Sequence, residues 1–337
     1  MRVGSLVYAT DQGLGILAKS FYDHGVVTDV LVIRHGRHHT HDEWYPRAQQ
    51  ISSLNHQVNE MANFCATMDA MLFFETPFHW PLIDFCRNAG VKTILMPMHE
   101  CLHRNVWNHL PDLFLCPSEL DLQVVDESYD GSMQMFLPVP VEIPWRQRTK
   151  AEVFVHNAGH GGLKGRNGTA ELLAAWSLVK SPAQLLMRYQ GADVFWDHVT
   201  ANRERLLIKL GTTDYNTLFV EGDVFVFPEK FNGLSLPLQE ARAAGMLVMC
   251  GDRFPMNQWL PNESLIQVAG YRKNRIGPPY NEFDEAMFDP KAIAEMIDWW
   301  YGRNITDYSL QGKAWAESMS WEALKPKYMK VLEDLCA

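Results

Sequence analysis

Residues 227 to 250 read FPEKFNGLSLPLQEARAAGMLVMC, and they place a proline and a carboxylate in the opening turns of a helix between two apolar runs. The flanks, Asp223 to Phe227 and Met246 to Cys250, are short and rich in strand formers, the pattern of strands covered on both faces. Pro237 suits a first helical position and Gly245 a left-handed helix end, so the unit reads strand, loop, helix, strand. Such a unit builds a parallel sheet and opens its loop at the carboxyl edge, where ligands of open α/β sheets bind. Glu240 falls just inside the helix. A carboxylate there can accept paired hydrogen bonds from a vicinal diol such as a ribose, and Gly233 lets backbone approach a ligand closely. The same charge also answers the helix dipole, and this stretch alone leaves both readings open.

Working outward, 337 residues exceed the size at which a single core keeps growing, so two domains are expected. A hydrophobic fraction of 47% with 21% charged residues fits a folded globular chain and argues against disorder. No apolar run reaches the length of a membrane span, and the opening MRVGSLVYATDQG has too short an apolar core for a signal peptide. A cytoplasmic protein without membrane insertion is the expectation. The six cysteines form no CxxC pair and sit in apolar surroundings, which fits reduced thiols better than a disulfide frame or a zinc site. Residues 1 to 145 hold 8 Lys and Arg against 17 Asp and Glu, so nearly all of the net charge of −10 lies in the first half. A global attraction to DNA or anionic membrane is not indicated.

Strand-like runs recur at Val3 to Ala9, Val26 to Ile33, Ala70 to Phe74, Thr93 to Met96 and Leu113 to Cys116, with helical patterns between several of them. This alternation predicts a doubly wound parallel sheet. FLPVPVEIPWRQR, residues 136 to 148, has too many prolines for a helix or a central strand and reads as the domain boundary. The pattern restarts with Val153 to His156, Gln184 to Tyr189 and the two strands of the opening stretch. From residue 289 to near the end the chain reads as amphipathic helix. Residues 36 to 50 and 270 to 287 are the least regular.

Together these features resemble the GT-B glycosyltransferases, above all the retaining family with a paired-glutamate motif. Pro228, Gly233, Leu236, Pro237, Glu240, Ala241 and Gly245 match that motif in register. Asn232 stands where the first glutamate is expected, with Glu229 three residues earlier. The resemblance implies an α/β fold of two Rossmann-like doubly wound domains facing a cleft. Residues 1 to 140 would bind the acceptor, residues 150 to 310 the nucleotide-sugar, and helices over 311 to 337 would pack back on the first domain. It also implies a UDP- or GDP-sugar donor held by Asn232, Gly233, Leu234, Ser235 and Glu240, and no required metal or other cofactor.

Three further stretches extend the likeness. In TDQGLGILAKS, Gly13 and Gly15 match the glycine loop that meets the donor, although a strand-to-helix turn has the same signature. In PDLFLCPSELD, Ser118 is best read as a helix cap. In AGHGGLKGRNGTAELLAAW, Lys164 and Arg166 lie in a glycine-rich turn before a helix, the setting of an anion site. The family places diphosphate-binding basic residues here; its arginine ahead of the lysine has no counterpart, and His160 sits nearby.

His99 follows a strand of the first domain, where the family often has a histidine touching the transferred sugar, with Glu100 as a neighbouring candidate and a packed core histidine as the plain alternative. RHGRHHTHDEWY, residues 34 to 45, is dense in imidazoles, yet it lacks a metal-ligand spacing and its arginines would repel a cation. Arg34, Arg37, Trp44 and Tyr45 instead form the expected acceptor entrance. The function expected is transfer of a sugar, with retention, to a hydroxyl of a small molecule or glycan. A hydroxymethylated base in phage DNA is an alternative acceptor. The rival functions are a nucleotide-sugar epimerase of the same fold and a non-catalytic nucleotide- or carbohydrate-binding module.

Overall fold

The computed structural model describes residues 1–34, 36, 39–46, 48–51, 58–102, 105–129, 131–159, 161–191, 199–211, 214–277 and 280–337. The chain divides into two compact units. Unit one comprises Met1–Val139, Arg275–Glu282 and Trp321–Ala337; unit two comprises Pro140–Asn274 and Phe283–Ser320.

In unit one, β1 (Val3–Val7), β2 (Asp29–Ile33), β3 (Gln49–Ile51), β4 (Ala70–Glu75), β5 (Lys92–Pro97), β6 (Leu113–Cys116) and β7 (Gln134–Phe136) form one sheet. Its order is β3-β2-β1-β4-β5-β6-β7 and every pairing is parallel. The connections include α1 (Gly13–Asp23), α2 (Val58–Cys65), α3 (Leu82–Asn88), α4 (Asn105–Asn108) and α5 (Glu119–Ser128). Ser118 caps α5, its Oγ accepting from the Asp121 amide at 3.1 Å. On one face, Leu6, Leu31, Phe73, Leu95 and Phe114 meet the buried side of α2 and α3. On the other, Phe21 of α1 packs edge-on against Phe74 of β4.

Unit two repeats the plan. β8 (Val153–Gly159), β9 (Gln184–Tyr189), β10 (Leu206–Leu210), β11 (Val224–Phe227), β12 (Leu247–Gly251) and β13 (Leu265–Ile266) run parallel in the order β10-β9-β8-β11-β12-β13. α6 (Thr169–Trp176) follows β8, and α7 (Leu236–Ala243) joins β11 to β12. Alternate residues face opposite ways, as a strand requires. Phe154, Val226 and Met249 join α6 in one cluster, whereas Val155, Phe225, Phe227 and Val248 join α7 in another. In both sheets the strand order reverses beside the first strand, the dinucleotide-fold arrangement.

The segment expected to be irregular over residues 270 to 287 instead contains an antiparallel ribbon, β14 (Val268–Asn274) and β15 (Phe283–Phe288). Exposure along most of β14 had erased the period-two signal. Its connecting residues Arg275–Glu282 belong to unit one, where the Asn281 amide donates to Leu102 O at 2.9 Å. The final helices are α8 (Pro290–Trp300), α9 (Thr306–Ser318) and α10 (Trp321–Cys336). α9 lies against α7 in unit two, where a Cβ on Gly312 would sit 2.4 Å from Arg242 O. α10 belongs to unit one, its Trp321 and Tyr328 rings edge-on or nearly so to Phe21.

Candidate functional site

The loops that leave β8 and β11 open at the reversal point of the second sheet and are fastened together. His156 of β8, fully buried, lies 2.8 Å through Nδ1 from Val226 O and 2.9 Å through Nε2 from Thr169 Oγ1. Val226 O can only accept, so Nδ1 carries the proton and the threonine hydroxyl donates to Nε2. Burial lowers the His156 pKa to about 4, against the help of Val226 O. Gly168, at φ +72°, precedes α6 and leaves no space for a side chain: a Cβ would lie 2.2 Å from Pro228 O. The Lys230 amide donates to Arg166 O at 2.8 Å.

Inside the β11–α7 loop, the Glu229 carboxylate is 1% exposed. One oxygen accepts from Asn232 Nδ2 at 3.1 Å and the other from Arg253 at 3.2 Å. Arg253 also donates to Glu229 O and Asn232 O, and Arg166 Nε lies 3.8 Å from the first carboxylate oxygen. Asn232 Oδ1 accepts from the amides of Leu234 and Ser235, both at 3.0 Å. These amides and the Asn232 side chain are thus engaged with one another, against the expectation that they turn to a donor. Gly233 is buried beside them. Ser235 holds φ +44° at the start of α7, and its buried Oγ finds no hydrogen-bond partner among the described residues.

Glu240, the carboxyl of the opening turns of α7, lies out of water. It is buried and accepts from the Tyr215 hydroxyl at 2.8 Å. Burial raises its pKa to about 7 although the Tyr215 hydrogen bond pulls the other way. A charge serving only the helix dipole would stay in water. This carboxyl is instead desolvated and held in one direction by Tyr215. Lys164 lies in a single 3-10 turn over Gly162–Lys164, but its side chain, like His160, is outside the described residues.

In unit one, Gly13 is exposed in the first turn of α1. Gly15 is buried with its Cα toward the preceding turn, where a Cβ would sit 2.2 Å from Thr10 O. For Gly15 the strand-to-helix turn therefore explains the residue. His99 is 6% exposed, its Nδ1 3.0 Å from Glu100 Oε2 and 3.6 Å from Asp121 Oδ1, while its amide donates to Asp121 at 2.7 Å. His41 contacts Asp11 and Glu43 and stacks on Trp44 with ring centroids 4.5 Å apart. Burial lowers its pKa, but the two carboxylates prevail and raise it. Arg34 pairs with Asp42 at 2.8 Å. Tyr45 is 2% exposed against Tyr22, so it belongs to the packing and offers no stacking face. Arg37 lies outside the described residues. Among the described residues, no group of three or more His, Cys, Asp and Glu is arranged to hold a metal, and no helix is long and apolar enough to cross a membrane.

The structure thus gathers Arg166, Asn232, Gly233 and Ser235 around two fastened loops, with Glu240 on the helix that follows. Sequence reasoning missed Arg253 and Tyr215. Arg253 stands just after an apolar strand, a position that draws notice in retrospect; Tyr215, in a short turn before β11, carries no signal.

No family model and no curated protein sequence matches the chain. Solved structures do. Sucrose-phosphate synthase from Thermosynechococcus elongatus is 13% identical with a TM-score of 0.63, covering 99% of both chains. Anabaena HepE, solved in complex with UDP, is 9% identical with a TM-score of 0.68, covering 99% of this chain and 100% of that one. The pneumococcal O-GlcNAc transferase GtfA, solved with UDP and GlcNAc, is 12% identical with a TM-score of 0.59, covering 85% of this chain and 61% of that one. The fold is that of the GT-B glycosyltransferases.

Proposed function

We propose that this GT-B chain is a glycosyltransferase that moves a sugar from a UDP- or GDP-sugar to an acceptor hydroxyl with retention of configuration. The observation that carries the reading is Glu240: a buried carboxyl, fixed by Tyr215, in the helix that opens from the reversal point of the second sheet. In this role it accepts from the ribose hydroxyls. As the bond from the anomeric carbon to the diphosphate breaks, negative charge grows on the departing oxygens, and Arg166, Lys164 and the first amides of α6 meet it. His99, set between two carboxylates, is the group assigned to the transferred sugar. The acceptor proton passes to the leaving phosphate, so no protein nucleophile takes part.

Titration calorimetry with UDP and GDP, followed by incubation with UDP-glucose, tests the reading. Binding of one nucleotide and slow sugar release are expected; binding of neither would overturn it. The anomeric configuration of the product, read by NMR, tests retention. Asn232 favours one second reading, a nucleotide-binding module without catalysis, which would bind the nucleotide and leave the donor intact. For the acceptor, Arg34 is already paired and Tyr45 buried, which favours a small hydroxylated molecule or glycan over DNA. Binding of hydroxymethylated DNA with a steep salt dependence would reverse that preference.

A further inference from the structure

We infer that Glu229 is a positioning residue for the diphosphate contact Arg166, and that Arg253 and Asn232 keep it from cancelling the charge it positions. The inference rests on the assignment of Arg166 to the donor diphosphate. A carboxylate beside a phosphate-binding arginine is a hazard, because a direct pair holds the guanidinium and neutralises it. Here Glu229 Oε2 is engaged by Arg253 at 3.2 Å and Oε1 by Asn232 Nδ2 at 3.1 Å, both groups buried. Arg166 Nε stands 3.8 Å from Oε1, beyond hydrogen-bond length, and its guanidinium carbon lies 5.8 Å from the Phe231 ring centre. Its side chain is 39% exposed, against 5% for Arg253 and 1% for Glu229. Two arginines and one glutamate leave this trio with a net positive charge, borne at its exposed end. The carboxylate orients Arg166 while spending its direct bonds elsewhere.

The arrangement also explains the asparagine. A glutamate at position 232 would set a second carboxylate against Glu229, three residues away in the same buried turn, and would lose the Nδ2 bond. Asn232 and Glu229 are therefore a matched pair, and the loop's carboxylate serves an arginine rather than a sugar hydroxyl.

The test is calorimetry with UDP and with uridine on the wild type, Arg166→Ala, Glu229→Gln and the double variant. Glu229→Gln is expected to weaken UDP about tenfold and to leave uridine unchanged, with no further loss once Arg166 is gone. Equal losses for UDP and uridine, or independent losses in the double variant, overturn the inference. Arg166→Ala without effect on UDP strikes instead at the donor-site assignment. Because Glu229→Gln leaves Arg253 without its charge partner, Glu229→Gln/Arg253→Gln is the second variant, and the same selective loss of UDP is expected. A readout free of nucleotide is the Arg166 Nε–H resonance, which is expected to shift in both variants; an unmoved resonance refutes the positioning.

Discussion

At the scale of single residues, two buried groups set opposite responses to pH. Glu240 has a folded pKa of about 7, above the ordinary 4.5, so the folded chain holds a proton that the unfolded chain releases, and its contribution to stability falls as pH rises between these values. His156 has a folded pKa of about 4, below 6.5, so its contribution is complete above 6.5 and is lost as pH falls toward 4. Over the shared window the two slopes oppose each other. Glu240→Gln removes one of them, so its melting temperature relative to wild type should climb between about pH 5 and about pH 7.5. Calorimetric scans at both values check this; a constant difference would mean that Glu240 is not desolvated. The same carboxyl ties ligand binding to a proton. If ribose hydroxyls donate to it, UDP affinity should rise with pH up to about 7 with proton release, and Glu240→Gln should lose about 1.5 to 3 kcal/mol of binding together with that dependence. Titrations in two buffers of different ionisation heat measure the proton directly.

At the scale of elements, the fastenings between loops matter more than any one strand. Gly168 joins β8 to α6 in a left-handed conformation against Pro228, so Gly168→Ala should cost at least about 1 to 3 kcal/mol and displace the paired loops. Chemical denaturation would show the loss, and UDP titration the displaced site. Arg148 is the corresponding tie at the carboxyl end of α7, where it donates to Ala244 O. Buried to 2% exposure, it donates to Gly222 O, Arg146 O, Phe219 O and Ala244 O, and desolvation lowers its pKa to about 10. Arg148→Met removes all four of these bonds, although Arg146 still donates to Gly222 O and Ala244 O, and a loss of about 3 kcal/mol is expected, read by denaturation. Such ties are invisible in the sequence, because their partners are carbonyls that every residue owns. The central strands were legible for the contrary reason. β4, β5, β8, β11 and β12 are covered on both faces and therefore written in apolar runs, whereas β7 at a sheet edge is only three residues long. β10 at the other sheet's edge, LLIKL, does carry an apolar run, with Leu207 and Leu210 exposed, and the strand reading passed over it. Glu240 could be picked out as a candidate by its motif spacing, and Arg166 by its glycine-rich turn before a helix. The engagement of Asn232 with its own loop could not, since only the folded turn brings Oδ1 to the amides two and three residues ahead.

At the scale of the whole molecule, the resemblance in one motif carried the fold across nearly all 337 residues, because both sheets follow one strand order and that order determines where their loops open. The path of the chain between its units was less legible. Unit one is assembled from three separate stretches, and the last supplies Trp321 and Tyr328, which close over Phe21. Removing residues 321 to 337 should uncover that aromatic cluster and lower the melting temperature of unit one ahead of unit two, seen as two separated calorimetric transitions. A single unchanged transition would show α10 to be dispensable. Two transfers built on Val139 make the wider point. A fragment ending there would lack both the strand connector that bonds Leu102 and the closing helix, and a chimera joined there would inherit a foreign version of each. Unit one cannot be moved to another scaffold by exchanging the first 139 residues alone, because it is built from three coordinated pieces.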